Sequence, residues 1–270
     1  MTLICADGTR IDAEYNKIQQ NQKEPCGSFW LKVMVDAVAL SIVSCPCTIY
    51  IIIIMKPLGK VHIQWSPKFA YAIGLLTTDG SLSKSGRHVD LTSKDREQLV
   101  NFMTCLNIRV KIGKKINGLK QGCLRIQFGD VLFYKFLLSI GLFPNKTKTL
   151  GAIKIPQELF FDFLRGHLDG DGSFYSYFDP RWRASYMFYT VFISASKNHI
   201  LWLQSELFKL LRIRGYIKKS EGDSVYNLRY AKAESLKLLP KLYYNRRAVC
   251  LSRKRIKIEK ALAVSGITLK

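Results

Sequence analysis

The chain has 270 residues, 48% of them hydrophobic, which is ample for a large buried core and excludes a disordered chain. Lysine and arginine total 42 against 20 aspartates and glutamates, a formal charge of +22. Self-repulsion on that scale opposes compactness and points to a polyanionic partner, with nucleic acid ahead of a ribosomal or anionic-membrane surface. The seven cysteines (Cys5, Cys26, Cys45, Cys47, Cys105, Cys123 and Cys250) are odd in number and include no paired C-x-x-C units. That argues against a secreted disulfide framework and against a zinc site, and it favours reduced, intracellular thiols. Cys45-Pro46-Cys47 has no nearby His or Cys to complete a metal site.

The first 54 residues do not resemble the rest. Residues 1–27 are polar and unpatterned, and residues 37–55 carry no charge and end in Ile51-Ile52-Ile53-Ile54. That run is barely long enough to span a bilayer, is interrupted by Pro46, and begins too late for an ordinary signal peptide. Three readings compete: a membrane anchor, a strand-like or helical appendage, or a misassigned start with Met55-Lys56-Pro57 opening the patterned chain. The last is preferred. The expected organisation is an atypical segment over 1–54, a first half over 55–155, and a second half over 156–270 with a basic C-terminal tail.

From Trp65 onward the pattern is regular. Pro67 to Thr78 is a predicted helix, capped by Ser66 and stopped by Asp79-Gly80. Strands follow at about Ser81–Lys84 and His88–Thr92, turning at Ser85-Gly86. Ser93 to Asn107 is an amphipathic helix with Leu99, Phe102, Met103 and Leu106 on one face. A second hairpin spans Arg109–Lys115 and Gly122–Phe128 with a turn at Asn117-Gly118, and Asp130 to Ile140 closes the unit as a helix. The order then repeats: a helix over Gln157–Gly170, and strands at Ser173–Phe178 and Tyr186–Ser194 turning at Asp179-Pro180. A helix over Lys197–Leu211 follows, then a hairpin over Tyr216–Lys219 and Tyr226–Tyr230 turning at Glu221-Gly222-Asp223, and a helix over Ala233–Leu242. Thr92-Ser93-Lys94-Asp95 matches Ala195-Ser196-Lys197-Asn198 in place. The expected fold class is α+β, built as two pseudo-symmetric αββαββα units.

Each unit opens with a helix that runs into Asp-Gly. The first reads Ala72-Ile73-Gly74-Leu75-Leu76-Thr77-Thr78-Asp79-Gly80 and the second Leu164-Arg165-Gly166-His167-Leu168-Asp169-Gly170-Asp171-Gly172. One Asp-Gly is an ordinary helix stop. Two, at the same place in two repeats of a basic chain, suggest a site. Gly74 and Gly166 sit mid-helix, where glycine costs roughly 1 kcal/mol, and a close helix–helix contact would offset that. Packing on the pseudo-two-fold axis would bring Asp79 and Asp171 together, and paired carboxylates repel unless protonated or metal-bound. Hard divalent cations take such oxygens and can activate water against a phosphodiester.

These two nonapeptides resemble the paired LAGLIDADG motifs of homing endonucleases, over roughly Trp65 to Ile258. The resemblance implies that Asp79 and Asp171 hold Mg²⁺ or Mn²⁺, leaves position 78 unassigned, and departs from the family pattern at Thr77. It implies a basic residue in each half near the cleaved phosphates: Lys146, with Lys148 as a close rival, and Lys254. It implies that the strands lie in the major groove, with Ser81, Ser83, Arg87, Lys111, Arg125 and Gln127 as DNA-binding candidates in the first half. Tyr175, Tyr177, Arg183, Lys218, Asn227 and Arg229 are the candidates in the second. The tail Arg253-Lys254-Arg255-Ile256-Lys257 would add phosphate attraction. The implied activity is site-specific cleavage of both strands of double-stranded DNA by a monomer, leaving short 3′ overhangs, with no small-molecule substrate. The alternatives within the fold are an RNA maturase binding structured intron RNA and a non-cleaving DNA-binding regulator. Against the excised endonuclease of an intein, the start shows no nucleophile of the splicing type and the end, Ser265 to Lys270, no terminal His-Asn. His62, His88, His167 and His199 form no H-N-H or zinc pattern, and His167 reads as helix packing or a contact near the acids.

Overall fold

In the computed structural model, the described residues are 59–116, 122–220 and 225–269, together with the backbone of three strands between 29 and 55. The polar stretch 1–27, Cys45-Pro46-Cys47 as a pair, Met55-Lys56-Pro57 as an opening, and the turns at Asn117-Gly118 and Glu221-Gly222-Asp223 lie outside them. The chain divides into two units, Met1–Leu58 and Gly59–Lys270.

In the first unit, β1 (Phe29–Val35), β2 (Val38–Cys45) and β3 (Thr48–Met55) form an antiparallel meander. Val35 pairs with Val38, and Cys45 with Thr48. The described residues of the uncharged run are therefore extended, as their Ile- and Val-rich composition favours, and among them the helical form of the appendage does not occur. Among the described residues no helix is long and apolar enough to cross a membrane.

The second unit holds seven α-helices and eight strands among the described residues. Helix α1 (Pro67–Thr78) begins where Ser66 Oγ accepts the Phe69 N–H at 3.2 Å. It leads into β4 (Gly80–Leu82) and β5 (His88–Ser93), joined through Gly86 in the left-handed region at φ +75°. Helix α2 (Arg96–Leu106), β6 (Gly113–Ile116), β7 (Gly122–Gly129) and α3 (Val131–Ile140) follow. Asp130 caps α3 through the Phe133 N–H at 2.8 Å, and its other oxygen accepts the Lys60 and Val61 N–H groups, tying down the start of the unit. The second repeat comprises α4 (Phe160–Asp169), β8 (Ser173–Asp179), β9 (Trp182–Ser194), α5 (Lys197–Leu211), β10 (Tyr216–Lys219), β11 (Tyr226–Tyr230) and α6 (Lys232–Leu242).

The two sheets have the same topology, β4-β5-β7-β6 and β8-β9-β11-β10, antiparallel throughout. Alternation assigns one face of each to the core: Leu82, Val89, Leu91, Ile126 and Phe128 in the first, Phe174, Phe188, Phe192, Leu228 and Tyr230 in the second. The opposite faces carry the polar and tyrosyl residues.

One correction concerns the C-terminus. The expected basic tail is a helix, α7 (Ser252–Val264), anchored by buried Ile258, Ala261 and Leu262. That i, i+3, i+4 stripe is short, and the basic residues around it hide the amphipathic signal. Arg253 pairs with Asp95 at 2.8 Å and Arg255 with Glu259 at 2.7 Å, so two of the tail's charges serve the fold.

Candidate active site

Helices α1 and α4 pack against each other through their glycines. A Cβ on Gly74 would lie 2.2 Å from the Phe163 carbonyl oxygen, and one on Gly166 would lie 2.1 Å from that of Tyr71. Only glycine permits this approach of backbone to backbone, and its dispersion contacts offset the conformational cost of a mid-helix glycine. Every residue from Phe69 to Thr77 is buried, and so is every α4 residue from Phe163 to Asp169.

The crossing delivers Asp79 and Asp171 to one place. Asp79 is the C-cap of α1, its N–H bonded to the Leu75 carbonyl at 3.0 Å. The backbone of Gly170 lies against Thr78 and Asp79, where a Cβ would fall 3.0 Å from Asp79 Oδ2. Burial and then the charge of Asp171 raise Asp79 to about 6, with Gln98, Lys254 and Lys146 pulling it back. Asp171 is exposed at the tip, yet the protein crowded against it still raises its carboxyl, opposed by Lys146 and Lys254. Both carboxylates also sit at helix C-termini, the negative ends of two macrodipoles.

Two lysines answer that potential in matched positions. Lys146, on a 3₁₀ turn (Lys146–Lys148) between the halves, is buried and donates from Nζ to the Gly80 carbonyl. Lys254, on α7, donates to the Gly172 carbonyl at 2.7 Å and to the Leu168 and Asp169 carbonyls at 2.5 and 2.9 Å. Gly80 and Gly172 occupy the same place in the two motifs. Burial lowers Lys146 to about 8 against the pull of Asp171 and Asp79, and burial lowers Lys254 to about 8 against the pull of Asp169. Lys148 is exposed and does not compete for this position.

The two acids differ in their surroundings. Gln98, buried on α2, donates from Nε2 to Asp79 Oδ2 at 2.5 Å, and its own Oε1 accepts from Ser93 Oγ at 2.8 Å. The matching position in the second half, counted from the helix N-caps Asp95 and Ser196, is His199, which bonds His167 and the Gly151 carbonyl instead, and among the described residues no side-chain hydrogen bond reaches Asp171. A cleft of about 620 Å³ opens beside Asp79, lined by Thr92, Ser93, Gln98, Cys123, Gly170 and Arg253 among others.

Each lysine is held in place from the opposite half. Ser196 Oγ donates to the Leu150 carbonyl at 2.5 Å, and His199 Nδ1 bonds the Gly151 carbonyl at 2.8 Å, fixing the chain just after Lys146. Asn101 donates to the Cys250 carbonyl at 3.0 Å, and Glu97 accepts from the Ser252 N–H at 3.1 Å, fixing the chain just before Lys254. Asp169 accepts the Leu251 N–H and the Tyr71 hydroxyl, both at 2.8 Å, while burial raises it to about 6. His167 is buried with its Nε2 3.1 Å from His199 Nε2, so it packs the motif helix onto α5. Burial lowers His199 to about 4 and pushes His167 well below its ordinary value, which favours the neutral form of both rings.

The strand candidates are distributed unevenly. Ser81 and Gln127 lie on the outer face of the first sheet and are exposed, while Ser83 is tied into the turn with Ser85. Arg87 is exposed at the same turn, and Lys111 is exposed in the coil before β6 rather than on a strand. Arg125 is paired with Asp90 at 2.6 Å. In the second sheet Tyr175, Tyr177, Lys218 and Arg229 lie on the outer face. Asn227 shares that face but is buried, with its amide donating to Ser220 Oγ at 2.8 Å. Arg183 lies in β9, and its side chain is outside the described residues.

Gln98, Asp169, Arg165 and His199 are site-supporting residues that sequence reasoning did not single out. The signal for Asp169 was a second carboxylate inside a buried motif helix. Gln98 gave none, because its partner lies 19 residues away, beyond a β-hairpin.

This arrangement is the LAGLIDADG homing-endonuclease fold, α+β with two four-stranded antiparallel sheets. No protein-family model and no curated protein matches the sequence. Among solved structures, the chain is similar to meganuclease I-SmaMI bound to uncleavable DNA, with a TM-score of 0.51 and 13% identity over 77% of this chain and 92% of that one. It is also similar to a single-lysine mutant of I-SmaMI (0.53, 12%, 75% and 92%) and to full-length DUF199/WhiA from Thermatoga maritima (0.46, 15%, 76% and 70%).

Proposed function

We propose that this chain is a site-specific endonuclease that hydrolyses both strands of double-stranded DNA, with Asp79 and Asp171 as the cation-holding acids. The observation that carries the reading is the matched pair of contacts, Lys146 on the Gly80 carbonyl and Lys254 on the Gly172 carbonyl, each beside an acid. A purely structural helix crossing has no need of two carboxylates with one buried and one half-buried lysine, each displaced from its ordinary pKa.

The donor set fits a hard divalent cation. Two neighbouring carboxylates, raised by burial and, at Asp79, by mutual repulsion, are relieved by a positive charge between them. Among the described residues no cluster of three or more His, Cys, Asp or Glu is assembled. Mg²⁺ accepts few protein ligands and keeps water and phosphate oxygens for the rest, so Mg²⁺ or Mn²⁺ suits the site better than zinc. When bound, such a cation supplies Lewis-acid stabilisation of the scissile phosphate and the leaving oxygen.

The chain's own residues do the rest. Gln98 orients Asp79, and the two lysines neutralise the helix C-termini so that the acids ionise near neutral pH. With a pKa of about 8, Lys146 and Lys254 can take a proton from the attacking water or carry charge to the phosphate. Water adds at phosphorus, the bond to the 3′ oxygen breaks, and the proton ends on that oxygen, leaving a 5′ phosphate and a 3′ hydroxyl. The charge of +22 and the exposed polar residues of both sheets support a duplex as the substrate.

The test is incubation of the full chain with a randomised duplex library and Mg²⁺, beside the Asp79→Asn/Asp171→Asn double variant. The expected result is ends that share one long site with a fixed 3′ overhang, absent from the double variant, which still binds duplex. Undiminished cleavage by the double variant would overturn the assignment. So would salt-sensitive binding of duplex or structured RNA without cleavage by the unaltered chain, which is the behaviour of a regulator or maturase.

A further inference from the structure

The outer faces of the two sheets carry different chemistry. In the first sheet, Ser81, Asp90 and Gln127 form one cross-strand row, and Arg125 bonds Asp90. Exposed Ser81 and Gln127 offer donors and acceptors along that row, whereas Asp90 Oδ1 and Arg125 Nε are buried.

The second face is aromatic at the outer end. Strand β8 has 7 residues and β9 has 13, against 3 and 6 for β4 and β5, so this hairpin is the longer. Tyr175 pairs with Tyr189 and their rings stack at 5.2 Å. Tyr177 lies nearly parallel to Tyr189, 8° apart at 6.3 Å. With Tyr216, which is 65% exposed, and Arg229, these rings line a cleft of about 470 Å³.

Such a surface selects by shape and by apolar contact. The rings are fixed by stacking, so little side-chain entropy is lost on binding. In the major groove thymine alone presents a methyl group, and apolar side chains read it. Arg229 and Lys218 on the same face supply attraction for the flanking phosphates.

We infer that the sheet of the second half recognises thymines through the stacked ladder Tyr175–Tyr189–Tyr177, while the sheet of the first half specifies its bases through hydrogen bonds. The two half-sites then differ in base composition as well as sequence. This rests on the DNA-cleaving reading.

The test starts from the site selected by the full chain from the randomised library. Synthetic duplexes replace thymine by deoxyuridine in one half-site at a time, which removes only the methyl groups, and competition binding is measured without divalent cation. The half-site belonging to the second sheet is the one whose preference relaxes in Tyr177→Ser, a substitution at an exposed position. Deoxyuridine there is expected to weaken binding about threefold to fivefold per methyl group. The same exchange in the other half-site should leave affinity unchanged, and Tyr177→Ser should bind thymine and deoxyuridine duplexes equally. Tolerance of deoxyuridine in both half-sites, equal losses in both, or an unchanged ratio in Tyr177→Ser would each overturn the inference while leaving the nuclease reading intact. Failure to enrich any site would overturn both.

Discussion

The two motif helices solve one packing problem with different residues. In α1 the positions after Ala72 carry Ile73, Leu75 and Thr77; in α4 the matching positions carry Arg165, His167 and Asp169, and all six are buried. Thr77 satisfies itself by donating to the Ile73 carbonyl at 2.8 Å. The α4 residues instead reach outward. Arg165 donates to the Leu242 and Val249 carbonyls at 2.8 and 2.9 Å and to Asp162 at 2.7 Å, while Asp169 holds Leu251 and His167 meets His199. Both lysine-bearing segments are therefore referred to α4: the one ahead of Lys254 directly, and the one after Lys146 through His199. The first helix supplies an acid and a packing face. The second supplies an acid and the frame that positions the lysines.

The strongest way to break this contrast is to remove the frame. Arg165→Met leaves Asp162 without its cation and two buried carbonyls without donors, which is expected to cost about 3 to 5 kcal/mol. Ile73→Val at the matching position should cost only about 1 kcal/mol, because it removes one methylene. Urea unfolding of both variants checks the difference, and similar losses would mean that the polar frame contributes no more than apolar packing.

A smaller effect separates the acids. The folded pKa of Asp79 is raised from 3.8 to about 6, so the stability linked to its proton is fully present below about pH 4 and is lost as pH rises through 6. Asp79→Asn should therefore be more stable than the unaltered chain at pH 7, by on the order of 2 kcal/mol, with the gain vanishing near pH 4. The same change at exposed Asp171 should give less. A gain at Asp79 that does not vary with pH would show that desolvation and repulsion are not its source.

The sequence made the repeat legible because its two periodicities, helical and alternating, follow each other in the same order twice. The capping of α1 by Ser66 and Pro67 and the Asp-Gly stops were local signals and were readable as such. The acids were legible for the same reason. The lysines were found through a resemblance, since nothing local distinguishes Lys146 from Lys148; burial of one and exposure of the other depend on the Gly80 carbonyl, 66 residues away in sequence. Helix α7 was missed because only Ile258, Ala261 and Leu262 mark its buried stripe amid basic residues. Gln98 was missed because its role depends on the packing of α2 against α1, which brings it to Asp79. Burial of Asn227 beside Ser220 was likewise set by tertiary packing.

The central claim is that the two halves contribute equivalent parts, one acid and one lysine each, to a single cleaving centre. Its most direct test is the conversion of a supercoiled plasmid bearing the selected site to nicked and linear forms by Lys146→Met and by Lys254→Met, each confirmed to be folded and to bind the site. The expected result is a fall of about 100-fold in linear product for either variant, the scale for loss of one charge-stabilising donor. Full activity in either variant would contradict the two-fold assignment.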